Sequence, residues 1–225
     1  MGNNDDRIDE AFSRINYDFG NFEQLLKASR EFEGVSGEEV IEWISGRMPC
    51  WDYLEVFNGS GVLNIEKVFG AKFSIDTLIN NYFTDEEHWY FSSCRWREWL
   101  DEFNMLSGRR ITANDVIEHL NVNFLIDSRY GPGLDIFVRF VEKNGGDPKI
   151  LVRRIAPEIE NFSLTTVEDV IYFLSPYLNG ELDMVKLFHQ VDWDNVSKNG
   201  GFEAFMAFFE PYVPTLVEEL REKGV

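Results

Sequence analysis

The sequence predicts an all-α protein, a multi-helix bundle or irregular helical array, on three observations. A hydroxyl residue stands three positions ahead of an acid at the head of several apolar runs: Ser36 with Glu39, Thr84 with Glu87, Thr112 with Asp115 and Thr166 with Asp169. Such a hydroxyl accepts a hydrogen bond from an orphan amide of the first turn. The acid reaches back to the cap's own N–H and suits the positive end of the helix dipole. Second, the apolar residues that follow share one helical face, as with Val40, Ile41 and Ile44, and with Val116, Ile117 and Leu120. Third, breakers punctuate these runs: Gly20, "NGSG" at 58–61, Gly180, "KNGG" at 198–201, and Pro211 with Pro214.

Taken in order, the chain predicts helices over 6–18 and 21–32, then one from the Ser36 box through "GEEVIEWI". Helices follow at 50–57 and 63–70. "FSIDTLINNYF" carries Ser74 as cap and Leu78, Ile79 and Tyr82 as its stripe. "TDEEHWYFSSCRWREWLDEFNML" opens at Thr84 and spaces Trp89, Trp96, Trp99, Leu100 and Phe103 along a broad apolar face. "GRRITANDVIEHL" starts at Thr112. "NVNFLID" (121–127) reads equally as a short strand or a helix extension, and a lone strand cannot build a sheet. Pro132 and Gly145-Gly146 bracket "GLDIFVRFVEKN", with Leu134, Phe137, Val138 and Val141 on one side. "DPKILVRRI" has Asp147 as cap, Pro148 at the first helical position and Leu151, Val152 and Ile155 as stripe. "LTTVEDVIYFL" starts from Thr166, and helices over 181–190, 201–210 and 214–223 complete the set.

Caps at 36, 74, 112 and 147 are separated by 38, 38 and 35 residues, a spacing that paired-helix repeats produce. The intervening stretches do not align, and the internal motifs of tetratricopeptide, ankyrin or HEAT units are missing. Convergent helix starts are therefore favoured over degenerate helical repeats of about 35–38 residues. The expectation is a single helical domain over 1–225, with a soft boundary at "SRYGPG" (128–133).

Forty Asp and Glu against 21 Lys and Arg, net −19, exclude the cationic footprint of a nucleic-acid binder and oppose an anionic membrane. Over 155–194 there are eight acids and one base, Lys186. Arg95, Arg97, Arg109 and Arg110 lie close in sequence, as a basic patch or as partners for neighbouring acids. Cys50 and Cys94 are too few for a disulfide framework. "MGNNDDRIDE" lacks the apolar core of a signal peptide, so a cytoplasmic location is expected. The histidines His88, His119 and His189 form no ligand spacing, and no metal site or cofactor is expected. Cys50 has no histidine near it in sequence, there is no G-x-S-x-G elbow, and no glycine-rich loop follows a strand, so catalysis is not the favoured expectation.

What remains is binding. The expectation is an acidic protein-interaction module, an adaptor or inhibitor of a basic and nucleic-acid-binding type of partner. Glu158, Glu160, Glu168, Asp169, Glu181 and Asp183 would steer encounter, and Trp89, Tyr90, Trp96 and Arg97 would supply an aromatic contact face. A self-associating assembly subunit and an enzyme with a carboxylate site in a helical bundle are the alternatives.

Overall fold

A computed structural model describes residues 2–48, 55–83, 96–126, 134–178 and 180–223. Among them are fifteen α-helices and no strand, an all-α helical array. Contacts divide the chain into two compact units, Met1–Thr112 and Ala113–Val225. The boundary expected at 128–133 lies outside the described residues.

The first unit holds α1 (Gly2–Ser13), α2 (Phe22–Ser29), α3 (Gly37–Ser45), α4 (Gly61–Phe69), α5 (Ile75–Phe83) and α6 (Trp96–Ser107). The short helix α4 packs on α2, α3 and α6, while α1 rests on α2 and α3. The Ser36 box forms as expected: the Glu39 amide donates to Ser36 Oγ at 3.1 Å and the Ser36 amide to Glu39 Oε2 at 2.7 Å. Ser74 caps α5 through the Thr77 amide at 3.0 Å. Gly37 lets the start of α3 meet the end of α4, because a Cβ there would land on the Phe69 carbonyl. Phe12, Phe19, Phe32, Trp43 and Phe69 form one ring cluster, and Phe57, Tyr82, Phe83 and Phe103 another.

Arg109 belongs to no basic patch. Its guanidinium pairs with both carboxylate oxygens of Glu66, at 2.6 and 3.1 Å, and also donates to the Phe73 carbonyl. The two side chains are only 18% and 10% exposed.

The second unit runs α7 (Ala113–His119), α8 (Asn123–Ile126), α9 (Leu134–Lys143), α10 (Lys149–Ile155) and a 3₁₀ segment, Ala156–Asn161. Then come α11 (Leu164–Asp169), a π turn at Val170–Leu174, a 3₁₀ turn at Ser175–Tyr177, α12 (Met184–Gln190), α13 (Trp193–Lys198), α14 (Phe202–Phe209) and α15 (Pro214–Lys223). Helix α9 is the hub, packing on α7, α8, α11 and the π turn, with Leu134, Phe137, Val138, Phe140 and Val141 buried. Phe188, Trp193, Phe202, Phe205 and Phe209 make a third aromatic cluster, among α12 to α14.

Several expected elements need correction. Of the two readings of 121–127 the strand falls away as far as Ile126, and the helix is a short one of its own: Asn121 accepts the Asn123 amide at 3.0 Å, and one turn buries Leu125 and Ile126. In the third echo Thr166 is not the cap. Ser163 is, accepting the Thr166 amide at 3.1 Å, so α11 starts three residues earlier. Thr166 is instead buried and donates to the Ile126 carbonyl. The first helix starts at Gly2 and stops at Ser13, because Asn16 and Tyr17 take left-handed φ values of 51° and 54°. Residues 55–57 form a turn, and the start of the helix expected over 50–57 lies outside the described residues, as do Cys50 and 84–95.

Candidate partner-binding surfaces

The acidic stretch 155–194 is built around helix starts. The 3₁₀ segment 156–161 and α11 both pack on α12. Asp183 caps α12, accepting the amides of Val185 and Lys186 at 3.1 Å each. Asp192 caps α13 through the Asn195 amide at 3.0 Å. Glu160 meets Lys186 at 2.7 Å, with both side chains at least half exposed. That lysine's hydrogen bond holds the Glu160 carboxyl below its ordinary pKa, so it stays ionised. Glu158 accepts from Asn161 at 2.8 Å and is half-buried, as is Glu168. Glu181 and Asp183 are exposed, and beside them the Val185 side chain is 48% exposed. Glu160, Asp183, Lys186 and Val185 therefore share one end of α12, with Glu158 on the segment packed against it.

Asp169 does not face solvent and leaves the set of exposed steering groups. It is 9% exposed at the end of α11, where it accepts the Asp135 amide at 3.3 Å at the start of α9. Burial, and then the neighbouring Asp135 carboxylate, push its pKa up to about 6. A buried carboxylate with a raised pKa is a common mark of a catalytic acid. Here the amides of Asp135 and Leu134 satisfy it, so the perturbation follows from joining α11 to α9.

Of the aromatic face, Trp89 and Tyr90 lie outside the described residues, and Trp96 and Arg97 open α6. A concave feature in the first unit involves a different tryptophan. Between α1 and α3 lies a groove of about 530 Å³. Helix α1 lends it Asn4, Asp5 and Ile8, α3 lends Glu39, Glu42 and Trp43, and the turn that ends α3 lends Gly46 and Arg47. Positions 39, 42, 43, 46 and 47 follow one helical stripe that runs through the C-cap Gly46. Asn4 donates to Glu39 at 3.4 Å across the two walls. The Glu39 carboxyl is held below its ordinary pKa, chiefly by the Ser36 amide. Arg47 lies 3.9 Å over the Trp43 ring. Trp43 is 4% exposed, and its indole Nε1 has no hydrogen-bond partner among the described residues. Sequence reasoning missed this groove. Its signal was the spacing 39, 42, 43, 46, 47, which mixes acids with one tryptophan on a face adjoining the buried one.

Among the described residues no three of His, Cys, Asp and Glu are grouped to hold a metal ion, and no helix is long and apolar enough to cross a membrane. The chain matches no protein-family model, no curated protein and no solved structure. Its functional reading rests on these surfaces alone.

Proposed function

We propose that this protein is an acidic protein-interaction module that binds a basic partner, as an adaptor or as an inhibitor of a nucleic-acid-binding protein. The observation that carries the reading is the start of α12, where Glu181, Asp183 and Val185 are exposed and Glu160, on the 3₁₀ segment packed against this helix, pairs with Lys186. The only base between 155 and 194, Lys186, is already engaged by Glu160. Both units share the acid excess, 21 acids against 11 bases in the first and 19 against 10 in the second. A cationic partner thus meets an acid excess on each unit, and such a field raises its encounter rate. Val185 offers a small apolar contact inside a charged rim.

A pull-down with the full chain at low salt, followed by stopped-flow association with the recovered protein, tests the reading. Association should slow about tenfold or more between low and high salt. It should also slow in the triple variant E158Q/E160Q/E181Q. A rate indifferent to both ionic strength and these substitutions removes the proposal.

A further inference from the structure

Among the described residues three asparagines precede a glycine: Asn58, Asn144 and Asn199. Such a pair is chemically labile, because no side chain shields the next main-chain nitrogen from the asparagine amide. We propose that Asn58–Gly59 is a site of spontaneous modification, at which the Gly59 nitrogen attacks the Asn58 side chain, converts it to aspartate or isoaspartate and thereby loosens the start of α4.

The chemistry needs nothing but water. The Gly59 nitrogen loses its proton to hydroxide and bonds to Cγ of Asn58. The Cγ–Nδ2 bond then breaks, and Nδ2 takes a proton from water and leaves as ammonia. Water opens the resulting cyclic imide at either carbonyl, giving the two products. Nothing is oxidised or reduced.

Local structure separates the three sites. Asn58 is exposed, and among the described residues nothing accepts from the Gly59 amide. No atom lies within 4 Å of where a Gly59 Cβ would stand, so the approach is open. The Asn58 Nδ2 donates to Glu55 at 2.6 Å, an exposed bond that uses neither Cγ nor Oδ1 and is exchanged readily for water. Asn144, at the end of α9, is the opposite case. It is half-buried, its Nδ2 donates to the Phe140 carbonyl at 2.9 Å, and the Gly145 amide is occupied by the Glu142 carbonyl at 3.2 Å. Asn199 stands between them: it is exposed, but its Nδ2 donates to Asn195 at 3.0 Å and the Gly200 amide reaches the Ser197 carbonyl at 3.5 Å.

Conversion at Asn58 reaches beyond the turn. The Asn58 carbonyl accepts the Gly61 amide at 3.0 Å where α4 begins, and a Cβ on Gly20 would lie 3.1 Å from it. Isoaspartate lengthens the main chain and shifts that carbonyl, while either product sets a second carboxylate beside Glu55 in place of a donor.

The test ages the full chain in warm, mildly alkaline buffer and follows each asparagine by peptide mapping with mass spectrometry that separates aspartate from isoaspartate. In the folded chain Asn58 should convert about tenfold or more faster than Asn144, the factor expected when the latter must first break its hydrogen bonds. In concentrated urea the two should convert within about threefold of each other, because local sequence is then all that distinguishes them. Asn144 converting as fast as Asn58 in the folded chain, or the same ratio persisting in urea, overturns the site. The isolated isoaspartyl form should unfold at a lower urea concentration than the unaltered chain, and an unchanged midpoint overturns the effect on α4.

Discussion

Replacing Asp169 with Asn should stabilise the protein at pH 8 and should do so less as the pH falls. Burial and the Asp135 carboxylate raise the folded-state pKa of Asp169 from 3.8 to about 6. A carboxyl whose folded pKa lies above its unfolded value opposes folding when ionised. That penalty is fully present above about pH 6, shrinks between about 6 and 3.8, and is gone below. The shift of roughly two pKa units corresponds to about 3 kcal/mol at pH 8 and about 1 kcal/mol at pH 4.5. Through this group alone, the unaltered chain gains about 2 kcal/mol on acidification across that window.

Asparagine keeps the acceptor oxygen for the amides at the start of α9 and carries no charge to desolvate. D169N should therefore be up to about 2 kcal/mol more stable than the unaltered chain at pH 8, and within about 1 kcal/mol of it at pH 4.5. Alanine deletes the acceptor and leaves those amides unpaired, so D169A should fall below D169N by about 1–3 kcal/mol at both pH values. Urea unfolding followed by far-ultraviolet circular dichroism reads all three. If D169N is destabilised at pH 8 and keeps the pH slope of the unaltered chain, Asp169 is not the strained group argued here.

Three further outcomes follow from named contacts. Gly37→Ala drives a methyl group into the Phe69 carbonyl and should cost about 1–3 kcal/mol in urea unfolding, whereas an alanine at exposed Glu38 on the same helix should cost little. Ser36→Ala removes the acceptor from the Glu39 amide and should cost about 1 kcal/mol; adding Glu39→Ala should cost less than the sum of the singles, because both act in one box. Arg109→Met strands the partly buried Glu66 carboxylate and should cost about 3 kcal/mol, with Glu66→Leu in the same chain restoring much of it; a double variant no better than the single refutes the pairing.

Helix position was legible wherever a cap and an apolar stripe agreed. Ser36, Ser74 and Asp147 each receive a first-turn amide, and the paired stripes Val40 with Ile44, Val116 with Leu120, and Val170 with Leu174 are all buried. Where two hydroxyls competed, the pattern misled. Ser163 and Thr166 both suit a cap, and the nearby Ile126 carbonyl draws the Thr166 hydroxyl inward. Helix α13 went unpredicted because "WDNVSK" is too short to show a stripe, although Asp192 caps it in the usual way. The site was less legible for the same physical reason. Asp169 reads in sequence as one more surface acid, because only folding brings it to the start of α9. The α1–α3 groove joins residues some 35 apart, and no local periodicity announces such a meeting.

The acid density of 155–194 has a structural cause that sharpens its functional meaning. Asp183 and Asp192 sit on the first turns of α12 and α13, and Asp169 holds the start of α9. Helix starts recruit Asp because its short side chain reaches the orphan amides and its charge suits the dipole. Three of the eight acids are therefore explained by architecture before any partner is invoked. Neutralising Asp183 or Asp192 should cost stability and field together, whereas Glu158 and Glu181 cap no helix. If E158Q/E181Q lowers a partner's association rate without moving the urea midpoint, while D192N moves the midpoint, charge retained for binding has been separated from charge retained for folding. If all three move only the midpoint, the acidity of this stretch belongs to its many short helices and not to recognition.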